Sequence, residues 1–139
     1  MNTSFQAVLL CALTFGLPAN ASEERNEVKL PRNATKFCDE HVSGAPASDG
    51  RPGPHIIWHA YSSVDSPDAI VRYYAEQFGQ KAGVAHDGSP EWRLGPEHAR
   101  WIYAIHPASA QGKMWRRCEV PASAKTVVWI SVFISAPGS

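Results

Sequence analysis

The chain has 139 residues, of which 13 are basic and 13 are acidic, so its formal net charge at pH 7 is zero. This length suits one domain with one hydrophobic core. A neutral chain lacks the basic excess by which proteins attract nucleic acid or an anionic membrane surface, and we expect neither as a partner. Enzymes, binding modules and structural proteins remain as function classes.

Residues 1–21 contain no Lys, Arg, Asp or Glu and carry an apolar run from Phe5 to Leu17. Such a run before small residues is typical of a signal peptide, and we predict cleavage after Ala21. Acylation of Cys11, as in a lipoprotein, is the alternative, although bulky residues precede it. No later run approaches about 20 apolar residues, so we predict no membrane span and a secreted or periplasmic protein.

Cleavage would leave two cysteines, Cys38 and Cys118. An even number in an exported chain favours a disulfide over free thiols. The bond would close a loop of about 80 residues, to which the chain-entropy model assigns about 4 kcal/mol. A nucleophilic Cys38, with His41 three residues on, is the catalytic alternative.

Residues 22–54 are predicted to form an N-terminal arm and a loop rich in Pro and Gly. The part up to Lys36 is charged and lacks apolar periodicity, and the part from Ser43 is dense in Gly, Pro, Ser and Asp. Asn33 begins a glycosylation sequon, which matters only in a host that glycosylates. The folded α+β domain is expected to span residues 55–136.

The best-specified element is a helix that begins after Ser66. Ser66 can cap it, Pro67 suits its first position, and Gly79 can end it in a left-handed conformation. Its apolar side chains fall within an arc of about 140°, so this face needs an apolar partner.

Four segments have the β-branched and aromatic composition of strands, and the middle two suggest an antiparallel hairpin. We predict an α+β fold in which one amphipathic helix packs on an antiparallel sheet of about four strands (βαβββ), with the arm stapled by the disulfide. The segments are 55–63, 91–94, 100–106 and 126–135.

The last predicted strand is apolar on both faces, as is typical of a strand covered on two sides. One helix covers only one face. Either the arm and the long irregular stretch 107–125 cover the second face, or that face binds a ligand, a partner protein or a second copy of the chain. The pattern thus allows a homodimer through the second face.

The candidate binding residues are a basic and aromatic cluster in the long stretch and one tryptophan of the last strand. Stacking on an indole together with charge-assisted hydrogen bonds would hold an anion or a sugar. The alternative is a solvated loop with one anchoring tryptophan. These residues are Lys113, Trp115, Arg116, Arg117 and Trp129.

Six histidines are the candidate metal ligands, but no pair has the sequence spacing of a known metal motif. We therefore predict no metal and no cofactor. His59 and His106 would be neighbours if their strands pair, and they are the ligands that a metal-dependent alternative would use.

The order of a strand, a helix with Tyr-Tyr at 73–74 and Phe-Gly at 78–79, and three strands resembles a single βαβββ module of the glyoxalase (vicinal oxygen chelate) family. The resemblance implies metal ligands on the first and last strands and two modules paired around the site. His55 or His59 matches the first position, but the last strand has no Glu, Asp or His. The segment also looks like exported bacterial α+β domains of unknown function, which implies a fold and no activity.

These observations favour an exported, non-catalytic binding or structural module whose small ligand or partner protein stays unnamed. The alternative is a glyoxalase-like metal-dependent enzyme, or a metal-binding protein, formed by dimerisation of single modules.

Overall fold

The computed structural model describes residues 28–135, and the predicted signal peptide lies outside them. Within this range the chain forms one α-helix and a six-stranded antiparallel sheet with the order β1-β2-β6-β5-β4-β3. The α+β class and the single helix are confirmed, but the prediction of about four strands is wrong. The elements are β1 (Thr35–Ser43), β2 (His55–Ser63), α1 (Pro67–Phe78), β3 (Gly83–Val84), β4 (Pro90–Leu94), β5 (Ala99–Pro107) and β6 (Thr126–Ile134).

The two strands that the sequence did not predict, β1 and β3, form the edges of the sheet. In β1 only Cys38 is buried, and a register shift between Lys36 and Cys38 interrupts the alternation of side chains. A bulged edge strand of this kind has no clear period-2 apolar pattern. β3 contains only two residues. Both strands are therefore stabilised by hydrogen bonds to the neighbouring strand, and their own composition does not identify them as strands.

Helix α1 has the ends that its sequence predicts. The Ser66 hydroxyl accepts a hydrogen bond from the Ala69 N–H at 3.3 Å, and Gly79 ends the helix with φ 64°. Ile70 and Tyr74 are buried against the sheet. The helix packs over the first face of the sheet, in a core that also contains Trp92, Tyr103, Ile105, Val128 and Ile130.

The segment before β1, residues 28–34, packs on the helix side of the molecule. The hydroxyl groups of Tyr73 and Tyr74 donate to the carbonyl oxygens of Leu30 and Lys29, each at 2.8 Å. Pro31 is buried, and the side chain of Leu30 packs against the core. This part of the predicted arm therefore belongs to the folded domain.

Removal of both hydroxyl groups should release this segment. We expect Tyr73→Phe with Tyr74→Phe to lower the free energy of unfolding by about 1–3 kcal/mol, because two partly buried hydrogen bonds to carbonyl groups are lost. Trypsin should then cut faster after Lys29 or Arg32, as peptide masses would show. Tyr61→Phe is the control, since it removes a half-buried hydroxyl beside the same core and leaves both contacts in place. Equal cleavage rates in the double variant and the control would contradict this role.

The long stretch 107–125, which we call the cover segment, lies on the second face of the sheet. Its Trp115 sits on a single turn of 3-10 helix and is only 1% exposed. Burial of an indole removes a large apolar area from water. Trp115 packs in a second core with Cys38, Trp58, Ala60 and Val127. The cover segment thus supplies the partner that the second apolar face requires.

Covalent and polar contacts fix the cover segment to the sheet. A disulfide joins Cys118 to Cys38 of β1, as predicted, with Cα atoms 5.8 Å apart. One residue earlier, the Arg117 guanidinium lies 3.1 Å from the Glu40 carboxylate of the same strand. At the start of the segment, the Ala108 N–H donates to the Lys125 carbonyl at 2.9 Å and closes its base.

Loss of the disulfide should destabilise the protein mainly through the unfolded chain. We expect Cys38→Ala with Cys118→Ala to lower the free energy of unfolding by about 4 kcal/mol, because the bond closes a loop with a sequence separation of 80 residues. Denaturant titration of the oxidised protein and the double variant measures the difference. A loss below about 1 kcal/mol would show that the disulfide constrains neither the unfolded chain nor the cover segment.

Candidate functional site

The cover segment leaves part of the second face open, and this part forms a cleft of about 430 Å³, which we call the sheet cleft. Its floor consists of side chains from the three strands β4, β5 and β6, including Ile102, Ala104 and Trp129. One wall is the cover segment at residues 112–115, and the other is the turn between β3 and β4 at residues 85–89. Apolar floors with polar walls are typical of ligand-binding clefts of this size.

The period of two along the strands places these floor residues together. Glu91 and Arg93 lie opposite Ala104 and Ile102 in the β4–β5 register. Trp92 lies between them and points to the helix side, where its indole N–H donates to the Gln80 carbonyl at 3.0 Å. Strand β4 therefore contributes one aromatic side chain to the core and two charged side chains to the cleft.

The charged side chains of the sheet cleft form two ion pairs. Lys113 of the cover segment pairs with Asp87 of the β3–β4 turn, so this contact joins the two walls. The hydrogen bond from Lys113, supported by two from Ser89, holds the pKa of the Asp87 carboxyl well below its usual range. Arg93 pairs with Glu91 on the floor. The cleft thus presents donors and acceptors whose charges compensate each other.

His106 is the buried titratable group of the cleft floor. Its side chain is only 6% exposed, and its ring centroid lies 4.9 Å from that of Trp115. Burial lowers the pKa of His106 below its ordinary value of 6.5, and the positive charge of Lys113 lowers this pKa further. The imidazole is therefore neutral at pH 7.

The structure brings three of the five predicted binding residues to the cleft. Lys113, Trp115 and Trp129 line it, whereas Arg116 and Arg117 do not. Trp129 is partly exposed and stacks on Trp58, which lies beneath the cover segment, at a ring separation of 4.4 Å. Trp115 is buried and acts first as an anchor of the cover segment.

The cations of the predicted cluster are already bound to protein acceptors. Arg116 donates to the carbonyl oxygens of Ala108 and Ala110 at 2.7 and 2.9 Å, which stabilises the bend of the cover segment. Arg117 pairs with Glu40, and Lys113 pairs with a turn carboxylate. Within the cleft, an anion would compete with Asp87 for Lys113 and with Glu91 for Arg93, so the cleft favours a neutral ligand over an anionic one.

The charged residues that complete the cleft were not among the predicted binding residues. The charged side chains Glu91 and Arg93 alternate with Trp92 and Leu94, and this pattern was available as a signal for one polar face of β4. Asp87 precedes Gly88, a pair typical of tight turns. The sequence contained no sign that this turn meets the cover segment, because the contact depends on how the chain folds over the second face.

The histidines of the metal-dependent alternative do not converge. His59 lies on β2 and pairs with Ile130, on the helix side of the sheet. His106 lies on β5 against Trp115, on the opposite side, and β6 separates the two strands. Among residues 28–135, no group of three or more His, Cys, Asp or Glu side chains is placed to hold a metal ion.

Comparisons with protein-family models, with curated proteins and with solved structures give no match for this chain. Between residues 28 and 135, no helix is both long and apolar enough to cross a membrane.

The lowered pKa of His106 predicts a loss of stability in mild acid. The unfolded chain takes up the proton near pH 6.5, before the folded protein does, so stability is fully present above that pH and falls as the pH drops through the folded pKa. Denaturant titrations at pH 7.5 and pH 5 should show a smaller pH-dependent loss for His106→Gln than for the wild type. The control His98→Gln changes an exposed histidine and should behave as the wild type. An equal pH-dependent loss in His106→Gln and the wild type would contradict this assignment.

Proposed function

We propose that this protein is an exported, non-catalytic binding module that holds a small neutral, polyhydroxylated ligand, such as a sugar, in the sheet cleft. The observation that carries the proposal is the composition of the cleft, which combines the partly exposed indole of Trp129 with two compensated ion pairs.

An indole floor provides an apolar surface on which one face of a sugar ring can pack. The carboxylate and guanidinium groups of the cleft accept and donate hydrogen bonds, and a ring with several hydroxyl groups satisfies both kinds. Because Asp87 is paired with Lys113 and Glu91 with Arg93, no net charge at these positions selects an ion. The volume of about 430 Å³ accommodates one or two sugar rings.

The same ion pairs support binding rather than acid–base catalysis. A general acid needs a carboxyl group whose pKa is raised toward neutrality. The pKa of Asp87 is instead lowered by Lys113, so this carboxylate stays ionised. The Glu91 carboxylate is already engaged by Arg93. The metal-dependent alternative gains no support, since its two histidines lie on opposite faces of the sheet.

The proposal includes export of the protein from the cytoplasm. The predicted signal peptide supports it, and so does the Cys38–Cys118 disulfide, because such bonds persist in oxidising compartments.

A titration with neutral disaccharides followed by NMR tests the proposal. Cellobiose, chitobiose and maltose are added to ¹⁵N-labelled protein while the indole N–H signals of the tryptophans are recorded. We expect the signals of Trp115 and Trp129 to shift with at least one disaccharide, because both side chains line the cleft. The signals of Trp92 and Trp101 should stay in place, since both side chains lie in the helix-side core.

A matched pair of arginine variants gives the control. Arg93→Ala removes a cleft donor and should weaken binding at least fivefold. Arg51→Ala removes an arginine that also pairs with a carboxylate two residues away, but in the β1–β2 loop, and should leave binding unchanged. Shifts of Trp115 and Trp129 with glucuronate or phosphate alone, equal affinity in both variants, or no shift with any of the disaccharides would contradict the proposal.

A further inference from the structure

The β1–β2 hairpin brings two histidines together that are 14 residues apart in the chain. His41 lies opposite Ile57, and Ser43 lies opposite His55, so that His41 and His55 are diagonal neighbours. Residues two apart on a strand share a face, which places both imidazole rings and the Ser43 hydroxyl on one side of the hairpin. His41 is exposed and His55 is partly exposed.

Three donor atoms meet at this point. The Nε2 atom of His41 lies 3.2 Å from Nδ1 of His55, and this Nδ1 lies 3.1 Å from the Ser43 hydroxyl oxygen. With nitrogen–metal bonds of about 2.0–2.1 Å, two adjacent imidazole nitrogens on one ion are about 2.9–3.4 Å apart, from square-planar to tetrahedral geometry. The observed separation falls within this range, so both nitrogens reach one ion once the rings turn from facing each other and aim their lone pairs at it.

From this geometry we propose that His41 and His55 form an open site for one divalent transition-metal ion. Imidazole nitrogen suits Cu²⁺, Ni²⁺ and Zn²⁺, and for a given nitrogen site Cu²⁺ binds most tightly of the three. The Ser43 hydroxyl or water fills a third position, and water fills the rest. Without metal, the same two nitrogens share one hydrogen bond, in which one ring donates to the other.

The site is independent of the sheet cleft. Helix α1 packs over β5 and β6 and leaves the end of the β1–β2 hairpin uncovered, so an ion reaches the two rings from solvent. The hairpin also fixes the backbone positions of both histidines without the metal, because β1 pairs with β2 over the length of both strands. Little backbone conformational entropy is therefore lost when both histidines bind one ion.

Titration of the tag-free protein with CuCl₂ tests the site, with isothermal titration calorimetry for affinity and electron paramagnetic resonance for the ligands. We expect one Cu²⁺ per chain with two imidazole nitrogens. His41→Ala and His55→Ala should each weaken binding at least tenfold. The loss in the double variant should be smaller than the two single losses combined, because either single substitution already breaks the chelate. Zn²⁺ should bind more weakly than Cu²⁺.

His98→Ala is the matched control, since His98 is exposed and lies in the turn just before β5, which β6 separates from β2. It should bind Cu²⁺ within twofold of the wild type. Thermal unfolding of each variant checks that the hairpin remains folded. A loss below tenfold in either single variant, an equal loss in His98→Ala, or spectra without two imidazole nitrogens would overturn the proposal.

Discussion

In residues 28–135 the sheet has two apolar faces and there is one α-helix, so a largely irregular segment covers the second face. Strand β6 lies between β2 and β5 and is buried along most of its length. Helix α1 covers one side of it, and the cover segment covers part of the other. A segment of this kind has few backbone hydrogen bonds of its own. The disulfide, the buried Trp115 and the paired arginines replace them.

The way in which the cover segment is held also determines the candidate site. Its attachments to β1 through Cys118 and Arg117 draw the segment toward that edge of the sheet. The β4–β5 side of the second face is left open, and Lys113 then reaches the β3–β4 turn across the opening. The sheet cleft is thus the part of the second face that the cover segment does not reach. Its apolar floor and its compensated charges follow from the residues that alternate along β4 and β5.

The helix and the disulfide were predictable because their signals are local or compositional. Ser66, Pro67 and Gly79 mark the helix ends, and only one pairing is possible for the two cysteines that follow the predicted signal peptide. Strand β1 was not predictable, since a bulged edge strand with one buried residue is stabilised by its neighbour. Because this segment was predicted to be an N-terminal arm, the β1–β2 register that places His41 beside His55 could not be predicted.

The candidate cleft was predictable only in part for a related reason. The basic and aromatic composition of residues 113–117 predicted that this segment contributes to a binding site, and three of the five proposed residues line the cleft. Whether each cation is free or already paired depends on contacts across the chain, such as that between Arg117 and Glu40, which are 77 residues apart. Trp115 is an anchor rather than an exposed platform for the same reason, because its burial depends on β1, β2 and β6.

Hydrogen–deuterium exchange tests most directly whether the disulfide holds the cover segment on a sheet that is stable without it. The full chain is compared with the disulfide intact and after reduction. We expect reduction to speed exchange at residues 108–118 and at the 85–89 turn, which Lys113 joins to the cover segment. Exchange in α1 and in the β5–β6 pair should stay slow. Unchanged exchange at residues 108–118, or an equal rise throughout the chain, would contradict this account.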